Sequence, residues 1–378
     1  MSSLISSPAP ARARSRVTTL RSLMTALVLV TAGACDSKSS DDGGDKAAKA
    51  DEDGAKPKPK PKPGGPATSD KLEPLAQLER KVRLMDVEAL PGGEQVAVYS
   101  MHREPISIID LASGAVASTV DPPARHGERP LEISAAGKIV LGGEVEGKEQ
   151  DVVWFLDPKT GASEELVLAF NGAIKAAVAV SPDGQTLALV GIDNGRILLI
   201  NREGAEIAKI DRPEGSGVMD AQVAVFSPDG QTLAAGMGPH LRLIDPATGE
   251  IRHDVADYEG SIAQIAFSAD GARVATNTTS SRDLASHVYE VASGNKVASI
   301  PAASKISGWL AVALDKDGSH AFVSAMPRVR QVRLSDGEVV AEHQLGAAAW
   351  DLALLPDGEH VVAAGDMGRV WMIPVARE

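Results

Sequence analysis

The densest group of residues able to do chemistry is His102 and Arg103, followed in the next loop-like segment by Arg125, His126 and Arg129. Histidine exchanges protons near neutrality, and arginine grips carboxylate or phosphate with paired N–H donors. These residues therefore suit capture of a carboxylate, a phosphate or an acidic partner loop. His240, Arg282 and Arg328 are further candidates of the same kind. They stand out because the chain is acidic. Its formal net charge is −13, and the first 34 residues contribute four arginines and no acid, which leaves −17 for the remainder. So acidic a chain is a poor partner for nucleic acid or an anionic membrane face. The eight histidines are scattered, with no His-x-His or HExxH pair, so no metal centre is expected. Phosphate-cradling loops, GxGxxG after a strand and GxSxG are missing, and Ser216 in EGSG has no marked base. No catalytic residue and no cofactor is expected.

These residues sit between elements of a repeating unit. Ser181 to Ala188, SPDGQTLA, returns letter for letter at Ser227 to Ala234. Looser copies centre on Gly93, Gly137, Gly271, Gly318 and Gly358, and the seven glycines are 44, 47, 46, 41, 47 and 40 residues apart. Such a period marks a stack or ring of similar modules. A second turn follows each of the first six glycines after 19 to 24 residues, at Gly114, Gly161, Gly204, Gly249, Gly294 and Gly337. In the third unit, Ala176 to Val180, Thr186 to Val190, Arg196 to Ile200 and Ala205 to Ile210 are β-type runs separated by SPDG, DNG and REG turns. Four antiparallel strands per unit describe a propeller blade. The unbroken apolar run Ile197 to Ile200 suits a strand covered on both faces by neighbouring blades.

The last unit stops at Glu378 after Val361 to Gly365 and Arg369 to Ile373, one strand short. Glu73 to Arg80 is left over at the other end, and is expected to close the ring as the outer strand of the seventh blade, removing an exposed edge. The fold class expected is all-β: a seven-bladed β-propeller of four-stranded antiparallel blades over residues 71–378. Through its SPDG turns and the apolar-Asp pairs Ile109-Asp110, Leu156-Asp157 and Ile244-Asp245, the chain is similar to WD40-type and related propellers. Aliphatic residues replace the tryptophan of the named motif, and SPDG turns also resemble those of TolB-like and lactonase-like propellers. The resemblance implies a working face built from second-to-third strand loops and blade connections. All the candidate residues above fall there. Trp154 and Trp371 lie in third strands and are expected in the core. Trp309 and Trp350 begin the inner strands of blades six and seven, at the mouth of the central channel.

Ahead of the repeats, Arg12, Arg14, Arg16 and Arg21 precede an apolar run from Leu23 to Val30, then Thr31, Ala32, Gly33, Ala34 and Cys35. Three-part segments of this kind are secretory signals, and the run is too short to span a bilayer. Cys35, the only cysteine, resembles the anchor of a bacterial lipoprotein, which implies a signal over 1–34, a lipidated residue 35 and a cell-envelope location with the inner or outer membrane left open. Residues 36–70 carry no large apolar side chain and include KPKPKPKPGGP, a composition that cannot bury a core and favours an extended tether. The expected function is a monomeric, membrane-tethered, non-enzymatic scaffold for an envelope protein or small ligand. A lactonase-like or other hydrolase at the channel mouth, or a metabolite sensor, is the alternative.

Overall fold

The computed structural model describes residues 67–68, 71–100, 104–123, 131–144, 150–168, 177–192, 195–214, 222–278, 283–302 and 311–377. Met1–Lys60 and Pro61–Glu378 separate as two units, and no residue of the first is among those described. The signal, Cys35, His102, Arg103, Arg125, His126, Arg129, Arg282 and Trp309 lie outside the described residues.

Seven antiparallel sheets follow one another along the second unit. Blade 1 is Leu84–Ala89, Gln95–Ser100, Ile106–Asp110 and Val116–Val120; blade 3 is Ala177–Val180, Thr186–Ile192, Arg196–Asn201 and Glu206–Ile210. Blade 7 is Ala349–Leu354, His360–Gly365 and Arg369–Pro374, and its fourth strand is Ala76–Gln77, which pairs antiparallel with Val370 and Arg369. The ring is thus closed by the segment expected to close it. Blade 6 carries an additional edge strand, Ala67–Thr68, parallel to Val339–Gln344.

The core is not inside the blades but between them. Seven clusters of buried side chains each join two adjacent blades. In the third strand of blade 3, Ile197 and Leu199 join the cluster shared with blade 4, whereas Leu198 and Ile200 join the one shared with blade 2. Strand alternation sends neighbouring side chains to opposite faces, so an unbroken apolar run is the sequence form of a strand packed on both sides. Each such residue contributes about 1.5–3 kcal/mol by leaving water.

The repeat motif owes its residue types to the turn it makes. In the third blade Ser181 Oγ donates to Asp183 Oδ1 (2.6 Å) and accepts from Thr186 N (2.9 Å), while Asp183 Oδ1 also accepts from Gln185 N (3.0 Å). Gly184 closes the turn at φ 71°, a left-handed conformation that costs other residues roughly 1–2 kcal/mol. Blade 4 repeats the set with Ser227 and Asp229. The turns also stack from blade to blade: a Cβ on Gly230 would touch Pro182 at 3.5 Å, and one on Gly93 would touch Pro356 at 3.4 Å, across the closure. Turn chemistry and blade packing are therefore one device.

Candidate functional site

Seven inner strands surround an axial cavity of about 610 Å³. It extends from Met85, Tyr99 and Trp350, where inner strands begin or second strands end, to the turn residues Pro91, Pro182, Pro228 and Pro356. Its wall has two chemistries. Blades 7, 1 and 2 supply Asp351, Asp86, Glu88 and Glu132; blades 3, 4 and 6 supply Val180, Val223, Val225 and Leu314. Lys316, at the turn end, is the one basic residue among the described lining.

The acidic half follows a register. Asp86, Gln264 and Asp351 each stand five residues before the turn position occupied by Pro91, Ala269 and Pro356. From there each reaches the backbone of the following blade. Asp351 Oδ2 accepts from Val87 N at 2.9 Å, Gln264 Oε1 accepts from Val312 N at 2.9 Å, and Asp86 Oδ2 accepts from Leu131 N. Gln264 also donates through Nε2 to Asp351 Oδ1, and its Oε1 receives a 3.1 Å bond from Asn277 Nδ2. Inner-strand side chains thus join blade 5 to 6 and 7, blade 7 to 1, and blade 1 to 2.

Crowding four carboxyl groups in a half-desolvated channel shifts their protonation. Burial, then the charges of Asp351 and Glu88, pushes Asp86 well above the usual carboxylate range. Burial, then Glu132 and Asp351, does the same to Glu88; burial and Asp86 do it to Glu132, whose bond from Val180 N opposes them. Burial raises Asp351 to about 6 against the hydrogen bonds that hold it. A carboxyl whose pKa is raised by folding keeps its proton in the native state after the unfolded chain has lost it. Stability therefore falls as pH rises from about 4 through those folded values. Glu88→Gln removes one of the mutually repelling charges without changing shape. It is expected to raise stability by roughly 1–2 kcal/mol at pH 8, about one pKa unit of repulsion, and to leave it unchanged at pH 4. Thermal melts of both proteins at the two pH values check this.

Among the sequence candidates, Trp350 reaches the cavity. Its Nε1 donates to Asp366 Oδ1 (2.8 Å), which also accepts from Arg83 Nε (3.1 Å), and the Arg83 guanidinium lies 4.3 Å from the Trp350 ring centroid. This is a clamped side chain at the channel end, with a cation–π contact worth about 0.5–1 kcal/mol where exposed. His240 and Arg328 are elsewhere. His240 Nδ1 lies 2.7 Å from Asp254 Oδ1, and Asp254 also binds Arg242 in blade 4; Arg328 holds Gln344 and Glu342 in blade 6. Neither lines the cavity, and the structure does not bring the two together. Trp154 and Trp371 are buried, as expected of core residues.

Nothing local in the sequence marks the channel carboxylates. Inner strands such as LMDVEA alternate as any half-exposed strand does. The available signal was the shared offset of Asp86, Gln264 and Asp351 from the turn, visible once the seven units are superposed.

Among the described residues no group of three or more His, Cys, Asp or Glu is arranged to hold a metal ion, and no helix is long and apolar enough to cross a membrane. No family model matches the chain. It is 36% identical over 124 residues to Tricorn protease homolog 1 of Streptomyces coelicolor, covering 30% of this chain and 11% of that protein. It is 25% identical over 189 residues to meiotic recombination protein rec14 of Schizosaccharomyces pombe, 49% of this chain and 59% of that one. The chain thus spans about a tenth and under two thirds of these curated relatives. Among solved structures it is similar to the β-propeller domain of Myceliophteria thermophila Cps50 (Swd1), with TM-score 0.60 and 16% identity over 79% of this chain and 98% of that domain. At that identity the likeness concerns the fold.

Proposed function

We propose that this chain is a lipid-anchored, non-enzymatic binding propeller of the bacterial cell envelope, working through its central channel. The observation that carries the binding function is the axial cavity. At about 610 Å³, it has the size of a small-ligand pocket and sets a carboxyl-rich wall against an apolar one. Propellers of unrelated roles share this architecture, so the site and not the fold identifies the function. The anchor rests on Cys35 after small residues, behind a basic segment and a short apolar run. Two or three acyl chains hold a protein at a membrane where one would not. Residues 36–66, ahead of the blade 6 edge strand Ala67–Thr68, then serve as the tether.

Two experiments test this reading, the first its anchor and the second its separation from the hydrolase alternative. Wild-type protein is expected in the membrane pellet and Cys35→Ala in the soluble envelope fraction; pelleting of both would refute the anchor. Purified protein is expected to leave lactones, carboxylic esters and phosphoesters intact. Turnover that disappears on substitution of Trp350, Glu88 or Glu132 would establish an enzyme instead.

A further inference from the structure

Apart from Lys316 at the turn end, the ionisable groups of the described channel lining are acids. Four are carboxyls, Asp86, Glu88, Glu132 and Asp351; Asp86, Asp351 and Glu132 each accept from a backbone N–H, and Asp351 also accepts from Gln264. An independent feature points the same way. Asn277, 2% exposed and lining the cavity, spends its Nδ2 on Gln264 and leaves its Oδ1 with no partner. A buried acceptor without a donor is destabilising. Both features call for a ligand that donates.

Charge and shape narrow the class. The spread of the acids over blades 7, 1 and 2 does not form a compact metal cage among the described residues. A cation with its donors distributed along its length suits them better. Four blades carry alanine where Glu88 and Glu132 stand in theirs, namely Ala179, Ala266, Ala313 and Ala353, and the last three line the channel and leave it open beside the acids. Val180, Val223, Val225 and Leu314 then offer a surface for methylene groups.

Resting on the channel as the working site, we propose that it binds an aliphatic diamine or polyamine, with one ammonium received by Glu88 and Glu132, another by the free Oδ1 of Asn277, and the methylene chain by the apolar wall. The ammonium groups favour the ionised form of carboxyls that burial and mutual repulsion otherwise hold protonated, and they supply the donor that Asn277 lacks. A neutral chain of the same length satisfies neither, and a dicarboxylate adds to the repulsion.

The test is calorimetric titration of the full chain in detergent with 1,5-diaminopentane, 1,5-pentanediol and glutarate, repeated on Glu88→Gln/Glu132→Gln and on Ala353→Trp, which fills the channel. The diamine is expected to saturate one site below millimolar concentration, the diol and glutarate to give no saturable heat, the double variant to bind at least tenfold more weakly, and the filled variant not to bind. Thermal melts confirm that each variant is folded, and Asn277→Leu provides a second, uncharged test with an expected loss of several-fold. Equal binding of diamine and diol, or full affinity in the double variant, overturns the proposal. Failure of the diamine while the diol or glutarate binds wild type and not Ala353→Trp overturns the amine but leaves the channel reading intact. Diamine binding unaffected by Ala353→Trp overturns both.

Discussion

Trp371→Ala is expected to destabilise the propeller by about 3–5 kcal/mol, the range for removing a fully buried tryptophan. Trp371 is wholly buried in the third strand of blade 7. It belongs to the cluster that joins Phe322 and Val329 of blade 6 to Leu352, Val361 and Ile373 of blade 7. Its loss leaves a cavity at an interface, where two rigid sheets would have to move together to fill it. Trp371→Phe is expected to cost roughly half as much, for two reasons. It removes less volume, and the Nε1 of Trp371 has no hydrogen-bond partner, so its deletion removes an unsatisfied group. Denaturant unfolding of the two variants measures the difference. Equal losses would show that the indole nitrogen contributes as much as the ring.

The second large effect concerns closure. Ala76 is 6% exposed, lies in the strand that completes blade 7, and packs with Leu84, Val98, Leu111, Val362 and Val370 of blades 1 and 7. Around it, Leu78 N donates to Gly368 O at 2.8 Å, and Gly114 of blade 1 approaches Leu75 O so closely that a Cβ there would lie 2.1 Å from it. An aspartate at position 76 would stand among the apolar side chains of this cluster, so it costs several kcal/mol whether buried charged or forced to take up a proton. Ala76→Asp is expected to release the strand and uncover the edge of Arg369–Pro374. A bare edge is a template for pairing with another chain. Size-exclusion chromatography with light scattering should then show dimers and larger species alongside a lowered melting temperature. A monomer with an unchanged melt would mean that the ring holds without this strand.

The pH response should carry two opposed signatures. Asp183 is held below its usual range mainly by Ser181, and Asp229 mainly by Ser227. Their contribution is present above about pH 4 and fades as pH falls through the lowered folded values. The channel carboxyls act in the reverse direction, losing stability as pH rises through their raised values. The turns therefore resist alkali and the channel resists acid.

The fold was legible because its signals are local. The glycine at positions such as Gly184 and Gly230 must adopt positive φ, the preceding serine and aspartate must tie the turn, and the leftover segment around Ala76 had only blade 7 to complete. The site was less legible because its signal is spread over the ring. Asp86 and Asp351 are far apart in sequence and meet across the closure, so neither looks unusual in its own strand. Loops drew attention to His240 and Arg328, which the structure spends on local partners in separate blades. Trp350, near the start of an inner strand, lines the cavity.

The most direct test of the channel as the working site is native mass spectrometry of wild-type protein and Ala353→Trp, each after exposure to small molecules extracted from the cell envelope. A bound mass retained by wild type and absent from Ala353→Trp is the predicted result. A mass retained equally by both would place binding on the outside of the ring, and no bound mass on either would contradict a channel that binds small ligands.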